Sequence, residues 1–112
     1  MRNKVILLTT DQFGTGDAAL GESVLETFFV LMKQRDELPA AVFCMNRGVF
    51  ALTTSSFASV HLAEMADAGV NVLACKTCVD HYDVGSRLKA GEISSMATFV
   101  ELAATHDVLT IA

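Results

Sequence analysis

Lys4-Val5-Ile6-Leu7-Leu8-Thr9 begins the chain with a continuous apolar run rich in strand-forming residues. An uninterrupted run of this kind is typical of a strand that is buried on both faces, as in parallel sheets. A second continuous apolar run lies at residues 40–45, and further strands are predicted at 70–74 and 107–111; segments with helical spacing of apolar residues separate these strands. The alternation predicts an α/β fold, with a three-layer α/β/α arrangement around a doubly wound, mostly parallel sheet of four to five strands.

The segments between the runs predict the helices. Apolar residues recur at three- and four-residue steps after Asp17, which is a suitable N-cap for the first helix. Residues 49–52 are expected to add a short extended piece. The predicted helical segments and turns are 18–36, 55–67, 78–82, 86–89 and 93–104, with Ser94 or Ser95 near the start of the last.

Length and composition predict one domain, residues 1–112, that associates with copies of itself. The 112 residues suffice for a single domain. Hydrophobic residues make up 52% of the chain and charged residues only 19%, which exceeds the usual apolar share. A domain of this size buries only part of its surface when it folds alone. We therefore expect part of the apolar surface to lie between subunits of a homo-oligomer.

Charge and hydropathy exclude several classes of partner. The net charge is −5 and the eight basic residues are scattered, so no nucleic-acid partner is expected. No apolar segment reaches the roughly 18–20 residues that span a bilayer, and the first residues lack the features of a signal peptide. We expect a cytoplasmic protein without a membrane partner, in which the three cysteines are thiols.

The C-x-x-C motif at Cys75-Lys76-Thr77-Cys78 follows the third predicted strand, where open α/β sheets bind ligands. Backbone N–H groups at the start of a helix, together with Lys76, would favour the thiolate of Cys75. Cys78 would then lie within reach for sulfur exchange. The alternative is a pair of buried cysteines that act as small apolar residues. Cys44 lies inside the second strand, where packing is the expected role.

Two loops, residues 10–17 and 46–54, are predicted to end at the same edge of the sheet. Asp11 is a candidate acid, base or hydrogen-bond acceptor, and alternatively a turn residue. Gly14 and Gly16 are expected to allow a tight turn close to the cysteine loop, because the full phosphate-binding glycine pattern is absent. Asn46 is a candidate donor to a bound anion or persulfide, and a turn role is equally consistent with its position.

The spacing Cys75-x-x-Cys78-x-x-His81 also permits a metal-binding interpretation. A zinc site takes three or four protein ligands, and a fourth would have to come from Asp80, Asp83 or Cys44. No second C-x-x-C motif exists. We therefore expect neither a metal nor another cofactor.

Several motifs in a fixed order carry a family resemblance. They are Asp11-Gln12-Phe13-Gly14-Thr15-Gly16-Asp17, Leu38-Pro39, Phe43-x-x-Asn46-x-Gly48-Val49, Gly69-Val70 leading to Cys75-Lys76-Thr77-Cys78-Val79-Asp80, and Gly91-Glu92-Ile93-Ser94-Ser95-Met96. Together they cover nearly the whole chain. The chain resembles the DsrE/DsrF-like family, and most closely the C-terminal domain of YedF-type proteins of sulfur and selenium metabolism.

This resemblance implies a DsrE-like fold, a trimer or hexamer, and a persulfide on Cys75, with Cys78 as the second thiol. It implies a sulfur (persulfide) carrier or sulfurtransferase in an intracellular sulfur relay, or a role in selenium metabolism. Lys76 and Asp83 stand where the YedF-like branch tends to have glycine. YedF-type proteins carry a preceding TusA-like domain, so a separate TusA-like partner is implied. The alternative is a non-catalytic, oligomeric binding or regulatory module with redox-responsive cysteines.

Overall fold

The computed structural model describes all 112 residues and contains the sheet that the apolar runs predict. The strands are β1 (Lys4–Leu8), β2 (Ala41–Cys44), β3 (Asn71–Cys75), β4 (Glu92–Ser94) and β5 (Asp107–Ile111). The helices are α1 (Ala18–Gln34), α2 (Ala58–Asp67), α3 (Lys76–Tyr82) and α4 (Met96–Thr105), with 3₁₀ helices at Asn46–Leu52 and Gly85–Arg87.

All five strands are parallel and lie in the order β4-β3-β2-β1-β5. The chain moves outward from β1 to β4, one strand at a time, and then returns across the sheet to β5 beside β1. Because every strand runs in the same direction, their carboxyl ends share one edge. The loops that follow β1, β2 and β3 therefore emerge side by side, as the sequence predicts.

Helices cover both faces of the sheet, which confirms the three-layer arrangement. Ile6 of β1 belongs to the same buried cluster as Leu25 and Phe29 of α1. On the opposite face, Phe99 of α4 packs against Phe43 of β2, with their ring centroids 5.1 Å apart. Successive strand residues point to opposite faces, so a strand needs uninterrupted apolar sequence to satisfy both layers.

Side-chain caps mark where two of the helices begin. The Asp17 carboxylate accepts a hydrogen bond from the backbone N–H of Leu20 at 2.9 Å, which confirms it as the N-cap of α1. Ser95 caps α4 in the same way by accepting from the N–H of Thr98 at 3.3 Å. Each cap satisfies an N–H group that the helix itself leaves without a partner. None of the helices combines the length and the apolar character that a membrane crossing requires.

Three local expectations from the sequence are wrong. Residues 49–52 lie in a 3₁₀ helix instead of an extended piece, and α3 begins at Lys76 instead of Cys78. Ile93, which fits the helical spacing of α4, lies in β4 and pairs with Ala74 of β3. A strand of three residues is too short to show a period of its own, so the neighbouring strand decides its conformation.

Candidate thiol site

The position of the 3₁₀ helix Asn46–Leu52 depends on one close contact with β1. A Cβ atom at Gly48 would lie 2.0 Å from the carbonyl oxygen of Leu8. No side chain fits at that distance, so only glycine lets the 3₁₀ helix approach the end of the strand this closely. The contact holds Asn46 and Arg47 at the carboxyl edge of the sheet.

The two cysteines of the C-x-x-C motif meet at this edge. Cys75 is the last residue of β3 and the N-cap of α3, and Cys78 lies in the first turn of α3. Their thiol groups are 3.6 Å apart, and both are free. Cys75 is buried, with only 5% of its surface exposed, whereas Cys78 is half-buried. The two sulfurs therefore form a pair in which one member is covered and the other is accessible.

Asn46 interacts with this pair through its backbone. Its N–H group donates a hydrogen bond to Sγ of Cys78 at 3.1 Å. Asn46 adopts a left-handed conformation, with φ of +50°, which asparagine tolerates better than most residues. The sequence left two roles open for Asn46, a donor to a bound anion or persulfide and a turn residue; the structure shows its backbone N–H group at the Cys78 thiol and a left-handed backbone.

Burial dominates the proton affinity of Cys78. It raises the pKa of the thiol because a thiolate loses solvation there, the hydrogen bond from Asn46 lowers it, and the neighbouring Cys75 raises it again. The net direction is upward. Cys78 is thus held mainly as a thiol at neutral pH.

Cys44 lies fully buried in the core, as expected for a packing residue, and burial raises its pKa strongly.

Lys76 directs its charge toward the outside of α3. Its ammonium group donates a hydrogen bond to Oδ2 of Asp80 at 2.6 Å, one helical turn further on, and both side chains are exposed. Asp83 ends α3 in a left-handed conformation, with φ of +53°. Aspartate therefore adopts the backbone conformation that glycine takes most easily, which explains how it stands where the family resemblance favours glycine.

A shallow cavity of about 260 Å³ opens in front of Cys78. The residues that line it are Asn46, Thr77, Cys78, His81 and Tyr82. Cys75 does not line it. Two further cavities, of about 320 and 330 Å³, lie near the amino ends of the strands, and a fourth, of about 160 Å³, lies beside α1; none of the three contains a cysteine or histidine. The cavity at Cys78 is therefore the one whose lining includes a thiol that can act as a nucleophile.

Asp11 joins the site through a residue that the sequence analysis missed. Arg47 donates hydrogen bonds to both carboxylate oxygens of Asp11, at 3.3 and 3.1 Å. The Arg47 guanidinium also lies 4.6 Å from the ring centroid of Phe50, whose ring is 4.8 Å from that of Tyr82. These contacts connect the loop after β1 to the wall of the cavity. The Asp11 carboxylate therefore pairs with Arg47, and no hydrogen bond joins it to either cysteine.

The predicted glycines lie on the far side of β1 from the cysteines. The Gly14 N–H group donates to the carbonyl oxygen of Ala112 at 3.0 Å, beyond the end of β5. Gly14 has φ of +84°, and Gly16 is exposed in open space. Both glycines shape the loop beside β5, whereas Asp11 in the same loop contacts the 3₁₀ helix.

Two of the missed residues had a signal in the sequence. Tyr82 follows Cys75 and Cys78 at the i, i+3, i+7 spacing that places residues on one face of a helix. Arg47 is adjacent to Asn46 at the end of a strand. Phe50 had no comparable signal, because its contacts depend on the 3₁₀ helix that the sequence did not predict.

The residues of the metal interpretation are only partly brought together. His81 lines the cavity with Cys78, and its ring lies edge-on to Tyr82, 4.9 Å between centroids. No group of three His, Cys, Asp or Glu side chains is arranged to hold a metal ion.

Solved structures from three organisms share this architecture along nearly their whole length. The ychN protein from E. coli has a TM-score of 0.67 at 20% identity, covering 99% of this chain and 100% of that one. A protein of unknown function from Methanobacterium thermoautotrophicum has a TM-score of 0.67 at 18% identity, covering 98% and 99%. A conserved protein of unknown function from Bacteroides thetaiotaomicron has a TM-score of 0.65 at 18% identity, covering 97% and 95%.

At this level of identity the likenesses show the fold alone. The chain has the DsrE-like fold, which confirms that part of the resemblance seen in the sequence. No protein-family model matches the chain, and no curated protein is significantly similar to it in sequence. The assignment to the YedF-type branch stays a prediction.

Proposed function

We propose that this protein is a sulfur carrier or sulfurtransferase that uses the Cys75–Cys78 pair in a cytoplasmic sulfur relay. The observation that carries the proposal is the approach of the two thiols to 3.6 Å at the carboxyl edge of the sheet. Half-buried Cys78 lines a cavity there. Ligand sites of open α/β sheets lie at this edge, and a pair of nearby thiols is suited to sulfur exchange.

The loading reaction needs only a thiolate and a donor persulfide. A cysteine thiolate attacks the outer sulfur of R–S–SH, the S–S bond of the donor breaks, and R–S⁻ leaves as a cysteine persulfide forms. The outer sulfur moves without a change of oxidation state, so no cofactor is required. The N–H group of Asn46, 3.1 Å from Sγ of Cys78, supplies a hydrogen bond to charge on that sulfur. Donor and acceptor are separate proteins in this proposal, and a TusA-like protein is the expected partner.

An apolar surface supports the proposed homo-oligomer. Helix α4 has no buried residue although its sequence is largely apolar. Val100 on this helix has 60% of its surface exposed, and Met96, one helical turn earlier on the same face, is also exposed. Contiguous exposed apolar surface marks interaction sites in proteins. We propose that a second copy covers α4, giving a trimer or hexamer.

The same surface favours one alternative function. An oligomeric binding or regulatory module would use the apolar face of α4 and would need no sulfur chemistry. Its cysteines would respond to oxidants but would accept no sulfur. The two functions therefore differ in whether the protein accepts sulfur when it is mixed with a persulfide.

Intact-mass spectrometry and a sulfide assay, after incubation with glutathione persulfide, separate these functions. We expect the wild type to gain one sulfur, about +32 Da, or to release an equivalent amount of sulfide. The double variant Cys75→Ser/Cys78→Ser should do neither, and Cys44→Ala, changed only in the core, should match the wild type. If the wild type behaves as the double variant does while its loop thiols react with iodoacetamide, the carrier proposal is rejected in favour of the binding module.

A further inference from the structure

We infer that the site reduces the sulfur it accepts: Cys78 takes the sulfur from a persulfide donor, and Cys75 expels it as sulfide. This inference rests on the proposed function and adds an activity to it, the reduction of persulfides by an internal dithiol. It also reverses the order of the two thiols that the family resemblance implies. Two features of the structure support it: the access of each thiol to the cavity, and the distance between the two thiols.

Access determines which thiol meets the donor. Cys78 lines the cavity of about 260 Å³, and Cys75 does not. Only 5% of the Cys75 surface is exposed. A persulfide that enters between Asn46 and Tyr82 therefore reaches Cys78 Sγ first. The N–H group of Asn46 donates to that same sulfur and stabilises negative charge on it during attack.

Protonation of Cys78 gives the first step a recognisable pH dependence. Burial raises the pKa of this thiol, and the reacting species is the thiolate. The charged and titratable neighbours that line the cavity or border it are His81, Tyr82 and Cys75 within the β3–α3 segment, and Arg47 from the 3₁₀ helix. The loading rate should increase with pH through the ordinary thiol range near 8.5 and beyond it.

Distance determines the step after loading. The Cys75 thiol lies 3.6 Å from that of Cys78, so it is already positioned beside the sulfur that would carry the persulfide. Cys75 attacks Sγ of Cys78, the bond from Sγ to the outer sulfur breaks, and the outer sulfur leaves as HS⁻. The outer sulfur is reduced to sulfide and the Cys75 sulfur is oxidised, while the Cys78 sulfur keeps the oxidation level that it had in the persulfide. The proton of the Cys75 thiol passes to the departing sulfide, so the balance is Cys75–SH plus Cys78–S–SH giving a disulfide and H₂S.

This second step is faster than transfer to a free acceptor because it is intramolecular. Groups held side by side react with effective molarities far above any protein concentration in a cell. A simple carrier needs only one thiol, and a second thiol at contact distance shortens the life of the persulfide. The pair is therefore suited to release sulfide unless an acceptor is already docked at the cavity.

The resulting disulfide implies a second partner. A dithiol reductant must return the pair to the thiol state, and its thiolate would attack Cys78 because that sulfur faces the cavity. The protein then cycles between a persulfide donor and a dithiol reductant. One sulfide is produced, and one reductant dithiol is oxidised, in each cycle.

A single-turnover experiment with glutathione persulfide and no added reductant tests the order of the thiols. The wild type should release one sulfide per chain and lose about 2 Da as the disulfide forms. Cys75→Ser should retain about +32 Da with sulfide release reduced at least about tenfold, since the internal nucleophile is absent. Cys78→Ser should load at least about tenfold more slowly than the wild type, since the remaining thiol is covered. Cys75→Ala should repeat the Cys75→Ser result, and Cys44→Ala should match the wild type.

The outcomes separate this inference from the function on which it rests. If Cys78→Ser loads normally and Cys75→Ser does not, Cys75 is the accepting thiol and the inference is wrong. If the wild type accumulates persulfide without releasing sulfide, it is a carrier and the reducing step is rejected. If the wild type neither loads nor releases sulfide, the proposed function itself fails. Thermal unfolding of each variant, followed by circular dichroism, shows whether it retains the fold.

Discussion

Replacing Gly48 with alanine would test whether the contact between the 3₁₀ helix and β1 organises the thiol site. The added Cβ would lie 2.0 Å from the carbonyl oxygen of Leu8 and 2.8 Å from its carbonyl carbon. Both are backbone atoms of a strand that has neighbours on both sides, so the 3₁₀ helix must move instead. Overpacking costs about 1–3 kcal/mol. Because rigid backbone is the obstacle, we expect a cost of about 3 kcal/mol, at the upper end of that range.

This loss translates into a measurable change in the midpoint of thermal unfolding. A chain of 112 residues unfolds with an entropy of about 0.24 kcal/mol/K near 60 °C. A loss of about 3 kcal/mol should therefore lower Tm by about 12 °C. Circular dichroism at 222 nm, a wavelength that reports helix content, measures the transition. The helix displacement should also break the hydrogen bond from Asn46 to Cys78, so Cys78 should react with iodoacetamide at an altered rate.

Two other glycines provide matched controls for this variant. A Cβ atom added at Gly16 would have no neighbouring atom within 4 Å. Gly16→Ala should therefore change the free energy of unfolding by less than about 0.5 kcal/mol. Gly14 also has open space but has φ of +84°, so Gly14→Ala should cost about 1–2 kcal/mol from backbone strain alone. If Gly48→Ala unfolds no earlier than Gly16→Ala, the contact with Leu8 does not position the 3₁₀ helix, and the reasoning fails.

Two further predictions concern the core and the outer surface. Burial raises the pKa of Cys44, so this thiol keeps its proton in the folded state, whereas in the unfolded chain it ionises above about pH 8.5. The free energy of unfolding should therefore fall by about 1.4 kcal/mol between pH 7 and 9.5. Urea unfolding at both pH values measures this, and a fall that persists unchanged in Cys44→Ala would contradict the assignment. Val100→Lys, at an exposed position, should reduce the mass measured by light scattering, whereas Glu101→Lys on the same helix is the charge control. An unchanged oligomer in Val100→Lys would exclude α4 as the subunit contact.

The order and type of most elements were predictable from local sequence. A parallel strand covered on both faces must be apolar at consecutive positions, and this is what residues 4–9 and 40–45 show. Asp17 predicted the start of α1 because a capping carboxylate acts on the next few residues of its own chain. The strand Glu92–Ser94 could not be predicted in this way. Its conformation comes from pairing with β3, and the three residues of this strand alone do not indicate that pairing.

The candidate site was also predictable from the sequence only in part. A C-x-x-C motif at a strand-to-helix junction brings two sulfurs together within one turn, so the sequence by itself determined that Cys75 and Cys78 would be neighbours. Only the tertiary structure decided which of them is accessible, because their exposure depends on segments far away in the chain. Asn46 reaches Cys78 across 32 positions, and Arg47 reaches Asp11 across 36. Spacing along a chain governs local proximity, whereas burial and long-range hydrogen bonds exist only once distant elements have packed.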